Sequence, residues 1–500
     1  MKKVLVITYY WPPSGGSGVQ RWLKFAKYLP EYGWEPVIYT PLNPEANSTD
    51  EALMKDVRPG TTVLKRRILE PYSFYKILAG GKNLTGKGQK KQIKANLVAG
   101  GGEKKSLVQK LSLFVRGNLF IPDPRILWVG PSVRYLKKYL KQHPVDAIVS
   151  TGPPHTMHLI AKRLSKATGT PWLADFRDPW TEIFYFKHLG LSKWAFNRHR
   201  SLEQGVLDSA DSVVVVSSKM QKDFEQRTKT PVEIITNGFD PEDFTATPDC
   251  SANGPACRED VSACGETAAA AANFRSGKFT LVHTGLLVDN GNPNLLWEVL
   301  GEKAASDPQF RQRLEIRTMG QTDSSIISDI SANGLDANFV NMGYVAHGTA
   351  VEWQQKASLL LLPLRKEPEA AAILTGKFFE YLAAGPRILA FGPTDGDLAR
   401  ALKETQSGTI CDWDQKQAIS DAIDAAWANH LAQQQGATAG AAGTADAADT
   451  AGVAGAADTA GTANTATAVH SRFSAAALKY SRKELTGKLS GLLNDIINKK

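Results

Sequence analysis

Residues 3–8 (KVLVIT) form a short β-branched apolar run. It ends at Trp11-Pro12-Pro13 and a glycine cluster, Gly15, Gly16 and Gly18. From Val19 to Leu29 the apolar positions change to helical spacing, with Trp22, Phe25, Ala26 and Leu29 on one stripe, and Gly33 follows. EPVIYT at 35–40 reads as a second buried strand. Strand, glycine turn, helix and strand make one β-α-β unit, with a right-handed crossover and a parallel sheet.

The same grammar recurs. DAIVS at 146–150 precedes a helix near 156–168 and then PWLADF at 171–176; SVVVVS at 212–217 precedes a helix and then VEIITN at 232–237. These elements predict one doubly wound α/β domain over residues 1–245. Residues 246–275 hold turn formers and an Ala-rich tract without a strand pattern, and predict an inter-domain linker swollen by a low-complexity insertion. A second series follows: FTLVHTG at 279–285, LEIRTMG at 314–320, ANFVNMG at 337–343, SLLLLPL at 358–364, RILAFG at 387–392 and GTICDW at 408–413. It predicts a second domain over 276–432. The expected fold class is α/β, two tandem Rossmann-like parallel-sheet domains facing a cleft, with ligands beyond the carboxyl ends of the strands.

From about Gly436 to Ala468 the chain is almost wholly Ala, Gly, Thr and Asp, so 433–470 is expected to be a flexible insert. Residues 471–500 recover helical spacing through Phe473, Leu478, Leu485, Leu489, Leu492 and Ile496. They predict a helix that docks on the folded body, with the first domain among its candidate partners.

Composition narrows the class. Hydrophobic residues at 42% and charged residues at 22% describe an ordinary globular chain and exclude a disordered, collagen-like or rod-like one. Of four cysteines, Cys250, Cys257 and Cys264 lie in the Ala/Gly-rich stretch at a spacing unlike a zinc site. That usage points to a reducing cytoplasm. No apolar run approaches the roughly 20 residues that cross a bilayer. MKKVLVITYYWPP resembles a signal peptide for a few residues only, and reads as a buried first strand.

Charge is uneven. Lys65–Lys141 holds 18 basic residues against Glu70, Glu103 and Asp123, interleaved with Tyr72, Phe74, Tyr75, Phe114, Phe120 and Trp128, although the whole chain carries only +9. Three readings compete: a solvated basic face, attraction to anionic lipid headgroups or a phosphate-bearing lipid acceptor, and nucleic acid. The last lacks any helix-turn-helix, RNA-binding or zinc-finger signature. The expected protein is cytoplasmic, peripheral on the inner face of the membrane through 65–141, and does not bind nucleic acid.

The strongest chemical constellation is ILTGKFFEYLAAGPRILAFG at 373–392. Thr375, Gly376 and Lys377 open a helix whose backbone N–H groups and positive dipole end suit a diphosphate. Lys377 adds a formal charge and Thr375 a hydroxyl. Glu380 lies about one turn along, where a carboxylate accepts two hydrogen bonds from a ribose diol. Gly385 and Pro386 end the helix. An amphipathic helix that merely packs is the competing reading, and it suits Phe378, Phe379, Tyr381 and Leu382. In DFRDPW at 175–180, Asp178 meets an acceptor hydroxyl, or Asp175, Arg177 and Asp178 make a local salt-bridged turn.

With these motifs most of residues 1–430 resembles the glycosyltransferases of family 4, which have the two-domain GT-B fold. Members carry a glycine-rich loop after the first strand, here SGGSGVQR at 14–21. They carry a histidine beyond a mid-domain strand, here in STGPPHTMH at 150–158, and an element matching Asn237-Gly238-Phe239-Asp240. The donor helix usually has two glutamates eight positions apart. The second matches Glu380, whereas the first falls on Ala372, with Glu367 and Glu369 as nearby substitutes. The usual cation after the first strand of the second domain is replaced by His283, Thr284 and Gly285. Arg365 and Lys377 are left as the cations facing the diphosphate.

The resemblance implies a nucleotide-sugar donor on the second domain, its base near Gly343-Tyr344-Val345 and its diphosphate at Thr375-Gly376-Lys377. Gly15 and Gly16 would let the first domain's backbone come close to the phosphates and sugar. His155 would hydrogen-bond the transferred sugar and support positive charge at the anomeric carbon, while His158, one turn on, packs or caps. The family reaction retains anomeric configuration, and the departing diphosphate can take the acceptor proton. No metal and no cofactor beyond the donor substrate is expected. The implied activity is hexosyl or N-acetylhexosaminyl transfer to a glycan or lipid-linked acceptor in surface polysaccharide or glycoconjugate synthesis. Among alternatives, a dehydrogenase is disfavoured because GGSGVQR lacks the final glycine and strand two ends without an acid. An epimerase of like architecture remains, as does a non-catalytic nucleotide-sugar-binding scaffold at the membrane, which the missing glutamate encourages.

Overall fold

In a computed structural model, which describes residues 1–45, 49–69, 114, 117–183, 186, 189–244, 277–443 and 473–499, the chain divides into two units. One comprises Met1–Thr236 with Leu485–Lys500, the other Asn237–Glu484.

The first unit is built on a parallel sheet of seven strands: β1 (Lys2–Ile7), β2 (Trp34–Pro41), β3 (Thr62–Arg66), β4 (Ala147–Gly152), β5 (Trp172–Phe176), β6 (Ser212–Val215) and β7 (Val232–Ile234). Their order is β3-β2-β1-β4-β5-β6-β7. Its helices are α1 (Ser17–Tyr28), α2 (Val129–Gln142), α3 (Thr156–Thr168), α4 (Lys193–Leu207) and α5 (Ser218–Glu225). The second unit has a parallel sheet of six, β8 (Phe279–Thr284), β9 (Leu314–Met319), β10 (Phe339–Asn341), β11 (Leu359–Pro363), β12 (Ile388–Phe391) and β13 (Gly408–Cys411), in the order β10-β9-β8-β11-β12-β13. Around it lie α6 (Asn294–Ser306), α7 (Pro308–Arg313), α8 (Ser324–Ala332), α9 (His347–Lys356), α10 (Gly376–Ala384), α11 (Asp397–Thr405), α12 (Lys416–Gly443) and α13 (Ala475–Leu478). A last helix, α14 (Arg482–Asn498), leads back into the first unit.

The unbroken apolar runs follow from burial on both faces of each sheet. In β1, Leu5 and Ile7 enter one core with Ile148, Met157, Trp172 and Phe176. Val4 and Val6 enter the other, with Trp22, Phe25, Val149 and Val214. That second core is completed by Leu485, Leu489, Leu493 and Ile496 from α14. The buried stripe thus uses Leu493, whereas Leu492 is only partly buried. In β11, Leu360 and Leu362 face the core beneath α10, and Leu359 and Leu361 the opposite one.

The structure departs from the sequence pattern in three places. Strand β3 has no counterpart among the expected elements. It is an edge strand that pairs only with β2, and its sequence TVLKR ends in charges, a common way to blunt a sheet edge. Helix α12 runs past residue 433, where a flexible insert was expected to begin, because the Ala- and Gln-rich sequence there has high helix propensity. The single helix expected from 471 is two, α13 and α14. Phe239 separates them by donating its N–H to the Tyr480 carbonyl (3.1 Å) and accepting from the Arg482 N–H (2.7 Å). The expected linker at 246–275, most of the basic window and the insert beyond Gly443 lie outside the described residues.

In both sheets the strand order reverses once, between β1 and β4 and between β8 and β11. Loops diverge at such a point and leave a crevice at the carboxyl ends of the strands.

Candidate active site

In the first unit, the loop after β1 holds Gly15 and Gly16 and leads into α1. Gly16 has φ +98°, a left-handed conformation that L side chains rarely adopt, and precedes the helix without a side-chain cap. The crowded glycine is Gly18, where a Cβ would lie 2.9 Å from the Tyr10 ring and 3.2 Å from Arg177 Nη1. Strand β4 ends at Gly152, and Pro153-Pro154 turns the chain so that His155 starts α3. A glycine loop and a histidine therefore flank this switch point.

His155 is buried and its ring lies flat on Trp180, with centroids 4.6 Å apart and planes 3° apart. Among the described residues its Nδ1 is buried without a partner, so Nε2 is the nitrogen through which the ring can meet a ligand. Burial, the neighbouring rings of His158 and His199 and the Arg177 guanidinium hold its pKa well below the ordinary value. His155 is a neutral imidazole at physiological pH. His158 is packed against Phe176 and hydrogen-bonded through Nδ1 to Ser150 Oγ (2.8 Å), its pKa pushed down to about 3, chiefly by burial. It is a core residue.

Asp175, Arg177 and Asp178 do not pair with one another as a local turn. Asp175, at the end of β5, takes Arg21 (2.9 Å) and the donors Trp22 Nε1 (2.7 Å) and Thr151 Oγ1 (2.8 Å). Burial alone would raise its carboxyl, but Arg21 and these donors hold it below the usual range. Arg177 spends its guanidinium on carbonyls: Gly18 (2.9 Å), Gly152 (3.4 Å) and Pro153. It thereby ties together the loops that follow β1, β4 and β5. Asp178, half-buried, has no hydrogen bond or ion pair among the described residues, and burial raises its pKa while Arg177 opposes the rise.

In the second unit the switch point is flanked by the ends of β8 and β11. Thr375 caps α10, its hydroxyl oxygen accepting from the Phe378 N–H (3.3 Å), and the exposed Gly376 and half-buried Lys377 form the first turn. Lys377 reaches back to β8, where its ammonium donates to His283 Nε2 (3.4 Å) and to the Leu286 carbonyl (3.3 Å). His283 can accept because its Nδ1 is committed to the Leu361 carbonyl at 2.9 Å. Burial and the nearby ammonium push the His283 pKa down to about 3. Burial lowers Lys377 to about 8, with Glu380 opposing and Arg365 adding to the shift.

Gly285 makes this arrangement possible. It has φ +103°, and a Cβ there would stand 2.6 Å from Lys377 Cε. Tyr381 pins the helix to the same strand end by accepting from the Thr284 N–H at 2.9 Å. Arg365 follows β11 but lies 4.0 Å from Glu367, which also accepts from Asn290 Nδ2 at 3.5 Å. Ala372 ends a short turn, Ala370–Ala372, just before α10. Beyond β10, Tyr344 stands 96% exposed next to Gly343.

Residues 83–243 match the family described as Glycosyltransferase Family 4. Solved structures agree over nearly the whole chain. A glycosyltransferase from Rickettsia africae superposes with a TM-score of 0.53 at 12% identity, covering 100% of this chain and 99% of its own. An α,α-trehalose-phosphate synthase (UDP-forming) from Burkholderia xenovorans, in complex with glucose-6-phosphate, gives 0.52 at 10%, covering 99% and 100%. A trehalose-6-phosphate structure from E. coli, bound with UDP-2-fluoro glucose, gives 0.53 at 12%, covering 98% of each chain. At such identities these likenesses speak for the fold, and no curated protein matches the sequence. The chain has the two-domain α/β fold of these proteins, the GT-B fold, and residues 83–243 of it resemble Glycosyltransferase Family 4.

Motif reading singled out His155, Gly15 and Gly16 at the first unit's switch point, and Asp178 just beyond the neighbouring strand β5. It singled out Arg365, Thr375, Gly376, Lys377 and Glu380 around the second unit's. It did not find the roles of Arg177, Trp180 and His283. Their contacts join residues up to 159 positions apart, as in the Arg177–Gly18 bond, and no local spacing announces such pairs.

Proposed function

We propose that this chain is a glycosyltransferase that moves a sugar from a nucleotide-diphosphate sugar to a glycan or lipid-linked acceptor, with retention of anomeric configuration and without a metal. The observation that carries the reading is the Lys377 ammonium, lodged over Gly285 at the first turn of α10 and pointed at a strand end where the sheet order reverses. A diphosphate placed there meets a formal cation, unpaired helix N–H groups and the Thr375 hydroxyl, with Arg365 on the adjoining loop. Neutralising the departing diphosphate is what the reaction asks of this unit. Glu380 lies farther along the helix for a ribose diol.

On the first unit, a neutral His155 can donate from Nε2 to a sugar hydroxyl without placing a second positive charge beside an electron-poor anomeric carbon. Asp178 is the free carboxylate for an acceptor hydroxyl, and the diphosphate itself receives the proton that the acceptor loses. Synthesis of a surface polysaccharide or other glycoconjugate suits such a transfer, at the cytoplasmic face of a membrane.

Thermal denaturation with UDP-, GDP- and ADP-sugars tests the donor reading, since a ligand that binds only the folded state raises the melting temperature. One nucleotide sugar should raise it. Lys377→Ala should weaken that ligand by about 10- to 100-fold, the worth of a charge-assisted hydrogen bond. No shift with any nucleotide sugar would remove the proposal. A second check follows from the Lys377 pKa of about 8. The ammonium is present below that pH and lost above it, so kcat/KM for the donor should fall as pH rises through 8. Lys377→Arg should carry the plateau to higher pH.

A further inference from the structure

The Lys377 ammonium is bonded to two neutral acceptors. It donates to His283 Nε2 at 3.4 Å and to the Leu286 carbonyl at 3.3 Å, and it forms no ion pair among the described residues. An ammonium has three donors, so one N–H is left for a ligand. The stem has little freedom, because Lys377 Cε passes 2.6 Å from the place a Cβ would take on Gly285. No acid stands in the first turn of α10. Glu380, a turn along the helix, and Arg365, after β11, act on the ammonium in opposite senses. The charge is thus aimed with no carboxylate bonded to it.

His283 suits this task on both sides of its ring. It is 1% exposed, and its Nδ1 lies 2.9 Å from the Leu361 carbonyl of the adjoining strand β11. A carbonyl only accepts, so Nδ1 carries the proton and Nε2 is a bare acceptor. Burial keeps the ring from taking a second proton, with its pKa at about 3. It therefore remains an acceptor through the physiological range. A carboxylate in its place would grip the ammonium harder but neutralise it. The imidazole holds the cation and leaves its charge to act. The strand end that presents the ring is itself anchored. The Thr284 N–H donates to Tyr381 Oη of α10 (2.9 Å), and the Thr284 hydroxyl oxygen accepts from Gln354 Nε2 of α9 (2.8 Å).

We propose that His283 is the positioning residue of the donor site: Nε2 of its neutral, Nδ1-protonated ring holds the Lys377 ammonium at the end of β8 and leaves one N–H for the diphosphate. The diphosphate rests on the sugar-transfer reading; the hold of His283 on Lys377 does not.

Competitive acetylation of the full chain with acetic anhydride over a range of pH, quantified at the Lys377 peptide by mass spectrometry, reads the titration of this lysine with no nucleotide present. The wild-type midpoint should lie near 8. His283→Phe keeps a ring and the burial but accepts nothing, and should lower the midpoint by about one pH unit, the worth of one hydrogen bond to a charged group. His283→Gln returns an acceptor close to the place of Nε2 and should restore the midpoint. His283→Asn reaches only as far as Nδ1, so it can keep the bond to Leu361 but not the one to Lys377, and should behave like His283→Phe. A residue that merely ties β8 to β11 would give the reverse order. Circular dichroism checks the fold of each variant, and the Gln and Asn variants decide by themselves should His283→Phe fail to fold. With a UDP-, GDP- or ADP-sugar that raises the melting temperature, affinity should weaken about tenfold in His283→Phe and His283→Asn and much less in His283→Gln. Equal midpoints in wild type and His283→Phe, or rescue by His283→Asn in place of His283→Gln, would overturn the proposal. If the midpoints move as expected but no nucleotide sugar shifts the melting temperature, the hold on Lys377 stands and the transfer reading falls. A nucleotide-sugar shift with unmoved midpoints would leave the transfer reading and remove His283 from this role.

Discussion

Replacing His155 with alanine should lower kcat by about 100- to 1,000-fold while changing the donor KM little, the scale seen when one preorganised polar group leaves a developing charge. The split between kcat and KM is the informative part. The ring lies between Trp180 and Gly152 in the first unit, whereas the cation and helix N–H groups that suit a diphosphate are in the second, so donor affinity should survive. Stacking on Trp180 fixes the ring plane, and with Nδ1 sealed only Nε2 is left to act. His155→Gln, which restores a donor of similar reach, should recover part of the loss. Steady-state kinetics with the nucleotide sugar found by thermal shift decide the matter, and wild-type kcat in His155→Ala would withdraw the assignment.

Acid should destabilise the fold before carboxylates titrate. His155, His158 and His283 all have pKa values below the ordinary 6.5, with burial the largest cause, and the last two fall to about 3. The unfolded chain therefore takes up protons near pH 6.5 that the native state refuses. Stability is full above that pH and falls below it, by about 1.4 kcal/mol per pH unit for each histidine. Chemical denaturation at pH 7, 6 and 5 measures the slope. His158→Gln, which can keep a hydrogen bond to Ser150, should remove about a third of it whatever its effect on absolute stability. A flat profile between pH 7 and pH 5 would mean that these rings are hydrated.

Much of this architecture could be read from short-range pattern. Buried strands such as β1, β5 and β11 announce themselves because a parallel sheet covered on both faces demands apolar runs. The Thr-Gly-Lys start of α10 was legible for a similar reason, since a capping hydroxyl, a small residue and a cation must be consecutive to serve one helix end. Strand β3 escaped because an edge strand keeps few apolar residues. What could not be read is whatever depends on distant partners. The Lys377–His283 contact spans 94 positions and is permitted by Gly285, which in the sequence looks like any strand-ending glycine. Equally, Asp175, Arg177 and Asp178 read alike as neighbours, yet the fold sends the first to Arg21, the second to three carbonyls, and leaves the third without a partner among the described residues.

Helix α14 also bears on how the protein is made. The apolar side of the first sheet that includes Val4, Val6, Trp22 and Phe25 is completed by Leu485, Leu489, Leu493 and Ile496. On the ribosome, that patch waits bare while residues 237–484 are translated, and any product truncated before Leu485 keeps it so. Such fragments should be recognised by chaperones and proteases, whereas the finished chain conceals the signal.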